Sequence, residues 1–332
     1  MGEKSKSKTS RTFSSDLNEY YTEVKEEFER HIRRELSKEQ KEIGALLEKG
    51  VSGGKQLRPV LCRLVSDSLG GDPHSAFECG MALEMIHSGT LIHDDWLDGD
   101  QFRREAPALW KELGPKTAII VGDLMVATGS LHAATTVSAG RALARCGRYL
   151  TEGAIADFTD KAEYSEAVYM DRIKMKTGAL YGVAAELGAL VSRRTDLSRE
   201  MQKFGETLGI IYQITDDYLD LLNSLITKTA IGDLAMGIPT LPVTRLSRYI
   251  EYKVAVKDYI QSGNANKLIE IVKVEDAQNI FEELVSPWQE MSRKYLKDVP
   301  DSSTKLLLEQ EPLSFSNELI ASDKSKFRVD AV

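Results

Sequence analysis

Apolar residues recur along this chain at the spacing of a helix. From Asp16 onward, Leu17, Tyr21, Val24, Phe28, Ile32 and Leu36 step by threes and fours, with Glu, Lys and Arg between them. That spacing gathers the apolar side chains into one stripe on one helix face. The same period predicts helices over 57–69, 75–98, 116–134, 137–158, 164–190 and 198–223, and over much of 240–310. No proline falls between Pro115 and Pro239, a stretch that helices use and that a turn-rich strand fold would punctuate. Strand-type alternation is nowhere sustained. The expected fold is all-α, with helices packed around a central set and too long for a simple four-helix bundle. Residues 1–15 (MGEKSKSKTSRTFSS) lack such a stripe and read as a disordered polar tail. Residues 16–332 read as one domain, since no linker or solenoid-length repeat divides them.

Composition narrows the function classes. A compact fold of 332 residues buries roughly 75% of its extended surface and needs no disulfide or metal staple. With 42% hydrophobic and 28% charged residues, the chain reads as an ordinary globular protein. Cys62, Cys79 and Cys146 are too few and too scattered for a disulfide framework or a zinc site. That suits a reducing, cytoplasmic compartment. The basic start is not followed by the apolar stretch of a secretory signal, and the richest apolar run, AIIVGDLMVA, is broken by Asp123, so no membrane span is expected. A net charge of −8 argues against nucleic acid as a partner. It leaves open whether the surplus carboxylates are solvated surface or metal ligands.

Two acidic clusters answer that question. In His93-Asp94-Asp95-Trp96-Leu97-Asp98, Asp94 and Asp98 lie one helical turn apart and point the same way. The preceding segment, MALEMIHSGTLI, is largely apolar, so the helix is buried and its acidic end faces a cavity. Asp216-Asp217-Tyr218-Leu219-Asp220 repeats the spacing after a second apolar run, Leu208 to Ile214. Clustered carboxylates repel one another unless they share a cation, and hard oxygen ligands of this kind suit Mg²⁺. Basic residues accompany them: Arg103-Arg104 after the first cluster, Lys228 after the second, and Lys176-Thr177 before the apolar stretch GALYGVAAELGAL. Lys55 and Arg58, in Gly53-Gly54-Lys55-Gln56-Leu57-Arg58-Pro59, flank a helix start, where free N–H groups favour an anion. Taken alone, that segment also reads as an ordinary solvated loop. Carboxylates for metal beside Arg and Lys for phosphate imply a substrate carrying diphosphate. His87 lies two turns before Asp94 on the same face and can reach the cavity. His31, His74 and His132 show no partner pattern and read as surface or packing residues. No Walker loop, Gly-x-Ser-x-Gly elbow or dinucleotide fingerprint is present.

Together these segments resemble the trans-isoprenyl diphosphate synthase (polyprenyl synthetase) family, whose members make farnesyl, geranylgeranyl and longer prenyl diphosphates. The resemblance runs from about Gly50 to Leu308, in the order GGKQLRP, MALEMIHSGTLIHDDWLDGDQFRR, VGDLM, YMDRIKMKTGAL, FGETLGIIYQITDDYLD and GDLAMGIPTLP. It implies an isoprenoid synthase-type helical bundle with a central cavity between the two aspartate-rich helices. It also implies a Mg²⁺-dependent head-to-tail condensation of isopentenyl diphosphate with an allylic prenyl diphosphate. Three ions would be held by Asp94, Asp98 and Asp216, with Asp95, Asp217 and Asp220 in support. Arg103, Lys176 and Lys228 would bind the allylic diphosphate. Lys55, Arg58, His87 and Arg104 would bind that of isopentenyl diphosphate. Thr177 and Gln213 would offer carbonyl oxygens to the allylic cation. A homodimer is implied by resemblance alone, and a heteromer is the alternative.

The resemblance also bears on product length. Gly89 and Thr90 stand five and four residues before Asp94, where an aromatic residue tends to stop growth in this family, and Ile86 lies one turn deeper. Small residues there imply geranylgeranyl diphosphate or longer. The plainer reading of Gly89 is a close helix–helix contact. Several positions depart from the family pattern: Ile238 replaces a lysine, Thr227 and Ile231 replace glycines, and Ala154 replaces a glutamine. They raise the alternative of a weakly active or non-catalytic subunit of a heteromeric synthase. A class I terpene cyclase is a further alternative, but it should carry a different second metal motif and has no need of Lys55 and Arg58.

Overall fold

The computed structural model describes residues 6–103, 106–134, 136–159 and 165–312. The chain is helical almost throughout. It opens with α1 (Lys6–Leu36), α2 (Lys41–Val51), α3 (Leu57–Ser68) and α4 (Pro73–Asp98). A two-rung antiparallel ladder, β1 (Phe102–Arg103) with β2 (Ala106–Pro107), follows. Next come α5 (Leu109–Leu113), α6 (Pro115–Ala133), α7 (Val137–Thr159) and α8 (Glu166–Ile173). A π turn, Lys174–Gly178, joins α8 to α9 (Ala179–Val191), and α10 runs Ser198–Thr227. Shorter helices complete the described chain: α11 (Asp233–Met236), α12 (Leu241–Arg245), α13 (Lys253–Ser262) and α14 (Asn266–Ile271), before the longer α15 (Val274–Tyr295). The helix expected over 164–190 is thus one rod with a π turn inside it. Helix α1 begins at Lys6, within the expected tail. No proline or glycine interrupts 6–15, so nothing stops the helix from extending back beyond its apolar stripe.

The stripe of α1 is buried as its spacing requires: Leu17, Val24, Phe28, Ile32 and Leu36 are all in the core. Helix α4 is capped at its start by the Asp72 carboxylate, which accepts the Ser75 N–H at 2.8 Å, and it ends at Gly99 in the left-handed conformation. Between these caps it is buried on nearly all sides, packing most heavily on α6. Helix α9 is buried from Ala179 to Leu190 and lies against α10, α3 and α7.

Small residues let α9 approach α10 without intervening side chains. A methyl group added at Gly209 would stand 2.8 Å from Gly178 Cα and 3.0 Å from the Thr177 carbonyl oxygen. One added at Gly205 would collide with the Tyr181 carbonyl. Gly147, on the outer part of α7, meets nothing within 4 Å. Gly205→Ala should therefore lower the unfolding free energy by about 1–3 kcal/mol through overpacking. Gly147→Ala should raise it by about 0.5–1 kcal/mol through helix propensity. Urea denaturation of the two variants checks the contrast.

Candidate active site

A cavity of about 490 Å³ opens between α4, α7 and the rod that carries the π turn. Asp94, His87, Arg58 and Lys176 supply polar groups to its wall, and Leu91, Leu97, Leu150, Ile155 and Leu180 supply apolar ones. Asp94 is partly buried, and burial raises its pKa against the opposing pull of Lys176. The lysine therefore faces the carboxylate across the cavity from a different helix. The π turn has a purpose here: its wider winding sets Lys176 and Thr177 out of α-helical register with the rest of the rod, as such turns often do at functional sites.

Arg58 reaches the cavity from the second residue of α3. Its Nη1 donates to His87 Nε2 at 3.1 Å and its guanidinium stacks over Tyr181, 4.7 Å from the ring centroid. Its Nε is buried without a hydrogen-bond partner. Lys55, expected beside Arg58, is exposed on the preceding loop and is not among the residues lining the cavity. Arg104 lies outside the described residues.

The second acidic cluster sits on α10. A hydrogen-bond chain ties it to the π turn: Thr177 Oγ1 donates to Gln213 Oε1 at 2.8 Å, and Gln213 Nε2 donates to Asp217 Oδ1 at 2.9 Å. From the other side, the Tyr169 hydroxyl of α8 donates to Asp217 Oδ2. Asp217 is buried, and loss of hydration pushes its pKa up to about 7 despite these two donors. Asp216, the preceding residue, is exposed. Asp220 accepts the Asp233 N–H at 3.1 Å. Asp233 itself has its pKa raised to about 6 by burial and by the charges of Asp220 and Asp216. Sequence reasoning missed Tyr169 and Asp233. Only the segments YMDRIKMKTGAL and GDLAMGIPTLP pointed near them.

Four expected site residues are engaged away from the cavity. Asp95, expected to support the metal cluster, is 2% exposed and ion-paired with Arg103. Consecutive helical residues point about 100° apart, so Asp95 turns away from Asp94 and lines a second cavity of about 310 Å³ with Arg103. Arg103, expected at the allylic diphosphate, is thus paired with Asp95. Lys228 is engaged as well: it caps α10 in the left-handed conformation, and its Nζ donates to the Ile269 carbonyl at 3.0 Å. That carbonyl lies in the last turn of α14, where unpaired acceptors attract cations. Finally, Gly89 is not cavity floor. A methyl group there would stand 2.8 Å from the Gly122 carbonyl of α6, and Ile86 packs beside Gly129 on the same helix. Thr90 alone of the three length candidates lines the larger cavity.

The donor set fits magnesium. It is all carboxylate, and burial or mutual repulsion disfavours ionisation of Asp94, Asp217 and Asp233 in the absence of a cation. No three of the motif carboxylates bring ligand oxygens within 4.8 Å of one another among the described residues.

A family model described as polyprenyl synthetase matches residues 40–275. The chain belongs to the polyprenyl synthetase family. It is 34% identical over 223 residues to a geranylgeranyl diphosphate synthase of Sulfolobus acidocaldarius, a match spanning 62% of this chain and 68% of the relative. A geranylgeranyl diphosphate synthase of Saccharolobus solfataricus is 27% identical over 314 residues, covering 87% of this chain and 94% of that one. In fold, the chain is similar to a crystal structure of geranylgeranyl pyrophosphate synthase, with a TM-score of 0.75 at 21% identity over 90% of this chain and 98% of that one. The all-α architecture is thus that of the isoprenyl synthases.

Asp233 offers a test of the electrostatics. Its folded pKa of about 6 lies above the ordinary 3.8, so the folded state favours the protonated form. Its contribution is most favourable below pH 4 and is lost as pH rises through about 6. In chelator-treated protein, the stability of Asp233→Asn relative to the native chain should rise between pH 4 and 7 and level off above. Denaturant midpoints across that range check the sign.

Proposed function

We propose that the chain condenses isopentenyl diphosphate with an allylic prenyl diphosphate and releases a linear trans-prenyl diphosphate of twenty carbons or more. The observation that carries this reading is one cavity lined by Asp94, Lys176, Arg58 and His87 at its polar wall and by leucine and isoleucine elsewhere. Such a wall accepts a molecule with a diphosphate head and a hydrocarbon tail. Mg²⁺ held by Asp94, Asp98 and Asp216, with Asp220 and Asp233 beside them, would supply Lewis-acid neutralisation of the diphosphate charge. Lys176 binds the allylic diphosphate, and Arg58 with His87 binds that of the second substrate. Gln213 and Thr177 turn oxygens toward the electron-poor allylic carbon as its C–O bond breaks. The apolar wall keeps water from that carbon. The isopentenyl double bond attacks it, a C–C bond forms, and the departing diphosphate takes up the proton lost.

Chain length follows from Thr90 and Ala154, both small and both in the cavity wall. Thr90→Phe should shorten the product by at least one five-carbon unit. Radiolabelled products from Mg²⁺, isopentenyl diphosphate and allylic primers of increasing length, sized by chromatography, test both claims. Gly89→Phe should instead destabilise the α4–α6 contact.

The same assay weighs a second reading. Arg103 and Lys228 are engaged elsewhere, and Ile238 is an exposed apolar residue where the family pattern has a lysine. These losses favour weaker allylic binding, as in a non-catalytic subunit. No condensation by folded, metal-binding protein would establish that reading. Ile238→Lys should lower the KM for the allylic substrate if a missing cation limits binding. For oligomeric state we infer a homodimer, since Ile120 and Leu131 of α6, with nearby Val137, present exposed apolar surface. No helix among the described residues is long and apolar enough to cross a membrane.

A further inference from the structure

Three of the chain's five histidines meet far along α4 from its aspartates. His31 comes from α1, His74 from the first turn of α4, and His132 from the last turn of α6. Glu78 joins two of them. Its Oε2 lies 2.8 Å from His132 Nδ1, and its Oε1 lies 3.1 Å from His31 Nε2. The second contact is off the direction of a hydrogen bond, so His31 Nε2 is buried without a hydrogen-bond partner on a side chain only 4% exposed. His74 sits edge-on to the His31 ring at 5.6 Å. Glu35 stands one turn after His31 on α1, so both side chains share a face. The ligand atoms of His31, Glu35 and Glu78 all lie within 4.8 Å of one another.

A buried imidazole nitrogen without a hydrogen bond is costly as mere packing beside Phe28, Ile32, Phe77 and Met81. Burial lowers the His31 pKa, so the ring is neutral and offers a lone pair. We propose that His31 Nε2 and the carboxylates of Glu35 and Glu78 form a binding site for a divalent metal ion of the zinc class, with water completing the shell. One imidazole and two carboxylates suit zinc or cobalt, whereas a magnesium site would lack the nitrogen. His132 holds the second oxygen of Glu78 and so fixes its direction. The site joins α1 to α4, away from the Asp94 cavity, and its role is to lock the amino-terminal helix onto the bundle.

The metal must compete with an internal cation. Arg34 Nη2 donates to His31 Nδ1 at 2.9 Å, and Arg34 Nε donates to Glu35 Oε1 at 3.2 Å. A metal on Nε2 leaves the ring proton on Nδ1, which then cannot accept from Arg34. Metal binding therefore expels the Arg34 side chain, which is 57% exposed and free to swing into solvent. Lys38, also on Glu35, is exposed and yields likewise.

The test uses untagged, chelator-stripped full-length protein, titrated with Zn²⁺ by calorimetry in excess Mg²⁺ to occupy the aspartate motifs. One zinc equivalent is expected that Mg²⁺ does not displace and that raises the melting temperature. His31→Phe and Glu35→Gln should each weaken it about tenfold or more, and Arg34→Ala should tighten it several-fold. Glu35→Gln and Arg34→Ala are at partly or fully exposed positions, so they keep the test decisive if His31→Phe fails to fold. Absence of that equivalent, its survival in Glu35→Gln, or unchanged affinity in Arg34→Ala would overturn the assignment.

Discussion

At the crossing of the π turn and α9 with α10, two backbones meet with no side chain between them. Gly178 abuts Gly209, and the Tyr181 carbonyl abuts Gly205. This approach sets the spacing of the whole site. It brings Thr177 within 2.8 Å of Gln213, which in turn reaches Asp217, and it delivers Tyr169 to the far side of the same carboxylate. Lys176 is carried to the cavity by the same turn, opposite Asp94. A side chain at either glycine would separate the rod from α10 and pull the lysine away from the second acidic motif.

Helical geometry divides the labour within each aspartate pair. Asp94 is in the cavity wall while Asp95 is buried against Arg103. Asp216 is exposed while Asp217 is held by Tyr169 and Gln213. In both motifs one carboxylate faces the open space and its neighbour anchors the helix end to surrounding structure. The anchoring ones are fixed by hydrogen bonds and so hold the orientation of the others. Arg103 therefore ties the ladder that follows α4 back to the end of that helix.

Much of this was legible in the sequence, because helices and aspartate motifs are local patterns. The stripe from Leu17 to Leu36 is buried as its period requires, and the helices carrying both motifs lie where the spacing put them. Arg58 and His87, 29 residues apart, do meet. The residues placed differently from expectation are those whose direction depends on a partner remote in sequence. Lys228 turns toward a carbonyl 41 residues later, and Gly89 faces α6 because the α4–α6 approach needs it there. His31, Glu78 and His132 come from three separate helices, so no linear spacing could reveal them. Residue type indicated which chemistry was available, and packing decided which side chains were free to use it.

The π turn is also a matter of reading frame. Wound as π, Lys174–Gly178 takes one residue more than an α turn, and each residue of an α-helix advances about 100°. Removing any single residue there would leave α8 and α9 able to form one uninterrupted helix, with the α9 face still buried against α10. Everything upstream of the deletion, Tyr169 included, would rotate out of phase with α10. The bundle and the reaction thus depend on different properties of the same rod, its composition for one and its residue count for the other. A family member with a shortened rod would keep the architecture and lose the alignment.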